Sequence, residues 1–382
     1  MSAAPAPGPG RIVREAPAKL NLTLAVIRRR ADGYHALHSV MVPLKLADTI
    51  SVSIVEASSP PGDTLALSGL HLPNTGDNLV LRAIAMARAA VAQTWPGAPA
   101  VPPPLAAELV KLVPVAAGLG GGSSDAASAV DAALEAWDAT LSIERAMAVA
   151  AALGSDVPFF LAGGAARISG RGEFVDPLPD LKGRQPAVLL VTPRVALSTR
   201  EVFQAFSLGA RPLRTEAAQE ISEQLAADMT AGLRGADLLE RAADLASSND
   251  LLAASVSVVP TLLPFRRALV RLLALPVGQS GSGPTCWTLY PSLAAARKAA
   301  RVVEAAVANG SLPEIGHGSP FVAATTILCR RAASASEASE RPSAGADSTA
   351  GSARGRKHGH LVPNGGHNVV ASVGESVEQD GR

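Results

Sequence analysis

Cysteine is nearly missing from this chain of 382 residues: Cys286 and Cys329 are the only two. That excludes a disulfide framework and a four-thiolate zinc site, and predicts a reducing compartment. Long hydrophobic runs are absent as well. No stretch reaches the ~18 apolar residues of a membrane-spanning helix, and the opening MSAAPAPGPGR lacks the charged-then-apolar order of a signal peptide. The expectation is a cytoplasmic protein with no membrane partner. Charge of one sign is lacking too, since 34 Lys and Arg stand against 33 Asp and Glu for a net charge of +1. Such a chain has no overall field to gather nucleic acid or anionic lipid. Aromatic residues make up 3%, so an aromatic in a polar stretch calls for an explanation.

What is present describes a globular protein: 48% hydrophobic and 18% charged residues, with a length that predicts two domains. Residues 1–10 are rich in Pro, Ala and Gly and are expected to form a disordered leader. Residues 332–382 carry no helical or alternating apolar pattern and are expected to form a disordered tail; they include His358, His360 and His367, to which no chemistry is assigned. Between them, β-like runs alternate with alanine-rich helical stretches, a mixed α and β pattern, divided into residues 11–185 and 186–331.

Arg11 to Ile27 reads as one long strand, with Lys19, Asn21 and Thr23 on one face and Leu20, Leu22 and Leu24 on the other. Ser124 to Trp137 reads as a helix with Ala127, Val130, Leu134 and Trp137 as its apolar stripe. Glu144 to Leu153 reads as a second helix, closed by Gly154. The strand AVLLV opens the second half, and Ser198 with Glu201 marks a helix start in STREVFQAF.

The strongest local feature is VPVAAGLGGGSSDAA, Val113 to Ala127. Gly118, Gly120, Gly121 and Gly122 leave a backbone whose N–H groups can close around an anion. Ser123 and Ser124 add hydroxyls where a helix begins, the end that favours phosphate. The Walker pattern fails for want of a lysine, and the dinucleotide fingerprint fails because its last glycine would fall on Ser123. Lys19, in PAKLNL, and Asp156, in GSDVPFF, supply what phosphoryl transfer to an alcohol needs: a positive charge for the phosphate and a carboxylate for the hydroxyl proton. Taken singly, Asp156 reads as a turn carboxylate and Lys19 as a solvated strand residue. Tyr34 stands among Asp32, Gly33 and His35, where core packing does not explain it.

These residues resemble the GHMP kinases. PVAAGLGGGSSDAA and the late glycine turn SGSGPT carry the general likeness; PAKLNL, ADGYHALHS, GDNLVLRA, GSDVPFF, SSNDL and SGSGPTCWTLY, in that order, point to the members that act on a cytidyl diphosphate sugar alcohol. The resemblance runs from about Arg11 to about Ala324. It implies an α+β fold of two domains, an N-terminal β-α-β domain with a left-handed crossover and a C-terminal ferredoxin-like domain. It also implies ATP and Mg2+ as cofactors and transfer of the γ-phosphoryl group to a substrate hydroxyl, in the supply of isoprenoid precursors. By its motifs, Lys19 and Asp156 are the catalytic pair. Asn78, Pro114, Ala116, Ala117, Leu119, the four glycines, Ser123 and Ser124 hold ATP, while Asn21, Tyr34, His35, Thr199 and Phe203 hold the cytidyl substrate. No metal ligand is fixed, and the protein is expected as a monomer or homodimer.

The sequence departs from the resembled pattern at Ala116, where glycine is frequent, at Trp287, where phenylalanine is frequent, and over Leu208 to Leu239. Rival readings are another small-molecule GHMP kinase, a non-catalytic ATP-binding protein, and an RNA-binding protein. The ADGYH motif with Phe203 opposes the first, Lys19 with Asp156 the second, and the near-zero charge the third.

Overall fold

The computed structural model describes residues 10–55, 62–70, 78–94, 101–209 and 215–330, all within one compact unit. The expected tail, and the expected leader up to residue 9, lie outside the described residues. The strands are β1 (Ile12–Asn21), β2 (Ala25–Arg29), β3 (His35–Ile54), β4 (Thr64–Gly69), β5 (Leu105–Lys111), β6 (Ala166–Gly170), β7 (Phe174–Pro177), β8 (Ala187–Thr192), β9 (Gly278–Gln279), β10 (Cys286–Tyr290) and β11 (Phe321–Thr326). The helices are α1 (Leu79–Thr94), α2 (Gly121–Ala136), α3 (Ile143–Leu153), α4 (Val157–Ala162), α5 (Thr199–Ser207), α6 (Thr215–Ala231), α7 (Gly235–Glu240), α8 (Ala242–Ser247), α9 (Leu252–Val258), α10 (Leu262–Leu273) and α11 (Leu293–Ala308).

Strands β1 to β7 form one sheet and β8 to β11 a second, ordered β11-β8-β10-β9. In the first sheet β3 is the spine: its C-terminal half pairs with β1 and β5, its N-terminal half with β2 and β6. β4 and β5 are its parallel pair, joined through α1 as a β-α-β unit. No helix among the described residues is long and apolar enough to cross a membrane.

The expected single strand from Arg11 to Ile27 is two strands. Leu24 leaves the sheet because its backbone is claimed elsewhere: its N–H donates to Ser248 O (2.7 Å) and its carbonyl accepts from Asp250 N (2.9 Å). The leucines separate accordingly. Leu20 and Leu22 pack with Val42, Leu44, Val188, Leu190 and Trp287 in a core that both sheets share, whereas Leu24 packs with Leu189, Val191 and Phe265. A bulge in β3 helps join the sheets. Pro17 pairs with Ala47 and Lys19 with Pro43, so two steps on β1 take four on β3. The extra residues let Leu44 bridge Ile327 and let Leu46 N donate to Thr325 Oγ1 (2.9 Å).

A third core cluster sets α1, α2 and α3 on the first sheet. Its contribution from α2 is largely alanine, including Ala126, Ala129, Ala132 and Ala133, all fully buried. Small side chains bring that helix close to the strands, which fixes where its first turn stands. The apolar stripe read from the sequence takes part: Ala127 and Val130 are buried and Leu134 and Trp137 pack against the same cluster. α3 starts at Ser142, whose side chain accepts from Arg145 N, and ends at Gly154 in extended backbone, not in the left-handed turn common at helix ends. Trp287 fits because its partner across the pair is Gly278, where a Cβ would lie 2.3 Å from the indole.

Candidate active site

The glycine loop is built by packing before any ligand is considered. α2 starts at Gly121, three residues before the helix read from sequence, and its cap Gly120 is left-handed with φ 69°. A Cβ at Gly120 would stand 2.9 Å from both Lys19 Cγ and the Phe160 ring. Gly118, also at positive φ, has its Cβ position 2.2 Å from Ser280 O, and that of Gly283 lies 2.2 Å from Gly118 N. The early glycine loop and the late glycine turn therefore pack backbone against backbone. Ala116 shares the left-handed region at φ 53°, a strain for any residue with a Cβ, which explains why glycine suits this position in the resembled pattern.

Gly121 and Gly122 differ. A Cβ on Gly121 would press Val113 (3.0 Å) and Lys111 Nζ (3.2 Å), whereas a Cβ on Gly122 meets nothing within 4 Å. Gly122 is exposed in the first helical turn, where alanine would stabilise the helix by ~1 kcal/mol. The expectation from the sequence is that phosphate approaches the backbone at this position. Gly122→Val should therefore fold like the wild type and lose nucleotide affinity, as measured by titration of ATP against a matched melting curve; retained affinity would return Gly122 to an ordinary helix position. The N–H groups of Gly121, Gly122 and Ser123 open the helix and have no intrahelical acceptor. Ser123 is half-buried, and Ser124 is enclosed behind it with a hydroxyl that has no hydrogen-bond partner. Leu119 faces the core while its carbonyl accepts from Lys19 N (2.8 Å), tying the loop to β1.

Lys19 is 4% exposed, and its Nζ stands 3.6 Å from Asp156 Oδ2 and donates to Asn21 Oδ1 (2.5 Å). Asp156 caps α4 by position but makes no side-chain cap bond, so its carboxylate is left for Lys19. Asn21 is held in turn: its Nδ2 donates to Ser39 Oγ (2.8 Å), which donates to Thr23 O (2.5 Å). The polar face read from the sequence exists, and it is buried rather than solvated. The late turn covers it, because a Cβ on Gly281 would lie 3.2 Å from Asn21 Oδ1 and 3.3 Å from Lys19 Nζ.

Of the residues expected around the substrate, Thr199, Phe203 and His35 are brought together through α5, whereas Tyr34 is not. Thr199 Oγ1 bonds Ser282 Oγ in the late turn (2.9 Å). One turn further along, Phe203 stacks on the His35 ring at 5.4 Å, and Ser207 Oγ meets His35 Nε2 at 3.2 Å. Tyr34 points outward, 56% exposed, with the Arg171 guanidinium 5.3 Å over its ring. Asn78 caps α1, its Oδ1 accepting from Val80 N (2.9 Å).

Sequence reading missed a buried cluster beneath the loop. Lys111 Nζ donates to Asp48 Oδ2 and to Asp125 Oδ2 (2.6 Å), and all three side chains are enclosed. Asp48 Oδ1 also accepts from the N–H groups of Leu112 and Val113. Burial pushes the Asp125 carboxyl up to about 7, against the pull of the Lys111 ammonium and aided by Asp48. A signal existed: LAAELVK alternates, with Leu105, Ala107 and Leu109 on the inward parity, and that parity puts Lys111 inside.

A glycine cradle at a helix start, an enclosed lysine facing a carboxylate and a second glycine turn closing over both define a small-molecule phosphotransferase of the GHMP class. Residues 78–164 match the model of the GHMP kinase N-terminal domain. The chain is 37% identical over 286 residues to the 4-diphosphocytidyl-2-C-methyl-D-erythritol kinase of Pelotomaculum thermopropionicum, covering 74% of this chain and 90% of that one. A crystal structure of 4-(cytidine 5'-diphospho)-2C-methyl-D-erythritol kinase superposes with a TM-score of 0.58 at 30% identity, over 82% of this chain and 99% of that one. Homoserine kinase from Cytophaga hutchinsonii shares the fold alone, with a TM-score of 0.59 at 16% identity over 86% of this chain and 98% of that one. The chain belongs to the GHMP kinase family, in its 4-diphosphocytidyl-2-C-methyl-D-erythritol kinase branch.

Proposed function

We propose that this site transfers the γ-phosphoryl group of ATP to the C2 hydroxyl of 4-diphosphocytidyl-2-C-methyl-D-erythritol, in the cytoplasm, as a step of the non-mevalonate isoprenoid precursor pathway. The observation that carries the reading is the Lys19 and Asp156 pair, 3.6 Å apart, with Lys19 packed against a glycine of each motif, Gly120 and Gly281. In this reading residues 11–185 supply the nucleotide site, with the phosphates on the backbone from Gly118 to Ser123 and the adenine near Asn78. Residues 186–331 supply Thr199 and Phe203 toward the cytidyl substrate, with Phe203 stacked on His35 and both on the same side as one another, and Tyr34 completes the contact.

Asp156 orients the attacking hydroxyl and receives its proton as the bond to phosphorus forms. Lys19 faces the same point and attracts the transferring phosphoryl oxygens. Asn21 keeps the ammonium in place through its 2.5 Å bond. The family also implies Mg2+, which takes most of its ligands from phosphates and water and few from protein. The donor chemistry fits at one point: the buried, unpartnered Ser124 Oγ is the oxygen of this chain that would hold the ion. When bound, it offsets charge on the β- and γ-phosphate oxygens.

A coupled assay of ATP consumption, offering the cytidyl substrate beside homoserine and mevalonate, tests the reading; turnover of either rival in preference to the cytidyl compound would refute it. Base recognition has its own test. Tyr34→Ala should weaken the cytidyl substrate by ~1–3 kcal/mol, the range for stacking on a base, and leave ATP affinity unchanged. An equal loss for ATP would put Tyr34 in the wrong pocket.

A further inference from the structure

The segment SSNDL lies far in sequence from Lys19, Asn21 and Asp156, yet it holds the turn that covers the lysine. Asn249 is 8% exposed, and both N–H donors and the carbonyl oxygen of its amide are engaged inside the protein. Its Nδ2 donates to Gln279 O and to Gly281 O, both at 2.9 Å, and its Oδ1 accepts from Leu251 N (2.9 Å). Those carbonyls flank Ser280, in the turn that covers Lys19. The next carbonyl is held as well, Ser282 O accepting from Ser255 Oγ (3.3 Å).

On the opposite side, the turn abuts the reacting groups. Ser280 Oγ donates to Gly118 O (2.9 Å) and accepts from Asn21 N (3.3 Å). Gly281 sits so close to Lys19 Nζ and Asn21 Oδ1 that a Cβ would intrude on both. The turn is thus a spacer between Asn249 and the catalytic lysine. An asparagine is suited to the distal end, because two N–H donors on one planar group can hold two carbonyls of a tight turn at once. Leucine or alanine there would take this donor from Gln279 O and leave Gly281 O with only the longer bond from Gln279 Nε2 (3.3 Å), and aspartate would set an acceptor against acceptors. The neighbour Asp250 secures the anchor itself: its Oδ2 accepts from Val26 N (2.8 Å), and its backbone N–H donates to Leu24 O.

We propose that Asn249 is a positioning residue for phosphoryl transfer: by holding the carbonyls of Gln279 and Gly281 it fixes the late glycine turn against Lys19 and Asn21, and so sets where the ammonium stands. This rests on the kinase activity proposed above, and acts through Lys19 rather than through either substrate. A shift of about 1 Å in a catalytic group lowers rates by ~10²-fold, so Asn249→Ala should lower kcat by ~10–10²-fold with little change in KM for ATP or the cytidyl substrate. In a Lys19→Ala background the same substitution should lower kcat little further, because its effect passes through the missing ammonium. A residue that merely supports the fold would lower the melting temperature and combine with Lys19→Ala as an independent factor. Unchanged kcat in folded Asn249→Ala, or full multiplication of the two losses, overturns the proposal. Should Asn249→Ala not fold, Ser255→Ala removes the weaker hold on Ser282 and should show a smaller kcat loss in the same sense; no loss there overturns it equally. An inactive wild type would instead refute the kinase reading.

Discussion

Asp156→Asn is expected to give a folded protein that binds ATP and the cytidyl substrate and turns over ~10²–10⁴ more slowly, the usual contribution of a general acid or base. The substitution keeps the size of the side chain and removes its charge and its capacity to take a proton. Asp156 makes no cap bond to α4 that the change would disturb, and its side chain is 31% exposed beside the enclosed side chain of Lys19. The carboxylate is therefore placed for chemistry more than for structure. Lys19→Ala should fall as far, since it removes the charge that draws the phosphoryl oxygens, and the double variant should fall little further because the two act as a unit. Single-turnover rates with saturating substrates measure this directly. Turnover of Asp156→Asn near the wild-type rate, with both substrates bound, would remove Asp156 from the mechanism.

The residues legible in the sequence were those whose local pattern already carries chemistry. Four glycines beside paired serines read as a phosphate cradle, and at two of them the structure leaves no alternative to glycine: Gly118 and Gly120 have positive φ and no room for a Cβ. The mixed architecture and the apolar stripe of α2 followed from periodicity, because a helix face and a strand face are local properties. What could not be read is what distant segments do to each other. Leu24 is diverted from its strand by residues 248–250, and no feature of Arg11 to Ile27 foretells a partner more than 200 positions away. The stacking of His35 on Phe203, across 168 positions, is of the same kind. Gly121 and Gly122 look alike in sequence; only the positions of Val113 and Lys111 distinguish a glycine needed for packing from one with open space beside it.

The second large effect concerns the cluster under the loop. Lys111→Met keeps an unbranched apolar stem and removes the ammonium, leaving Asp48 and Asp125 enclosed without their shared partner. Removing one member of a buried ion pair costs ~3–5 kcal/mol, because the other charge stays in a medium that solvates it poorly. The loss should be unequal with pH. A carboxyl whose folded value is raised adds stability that is complete below its ordinary range and is lost as pH climbs through the raised value. For Asp125, pushed up to about 7 even with Lys111 present, that window runs from about pH 4 to 7. Without the ammonium the carboxyl rises further, so the gap in melting temperature between wild type and Lys111→Met should widen from pH 5 to pH 8. Asp48 keeps its two backbone N–H donors, which makes Asp125 the carboxyl to relieve. Adding Asp125→Asn to Lys111→Met should therefore restore part of the lost stability, although each change alone removes a bond. A gap that does not change with pH, or a double variant less stable than Lys111→Met, would mean that Lys111 supports α2 by packing and not as the counter-ion of the two aspartates.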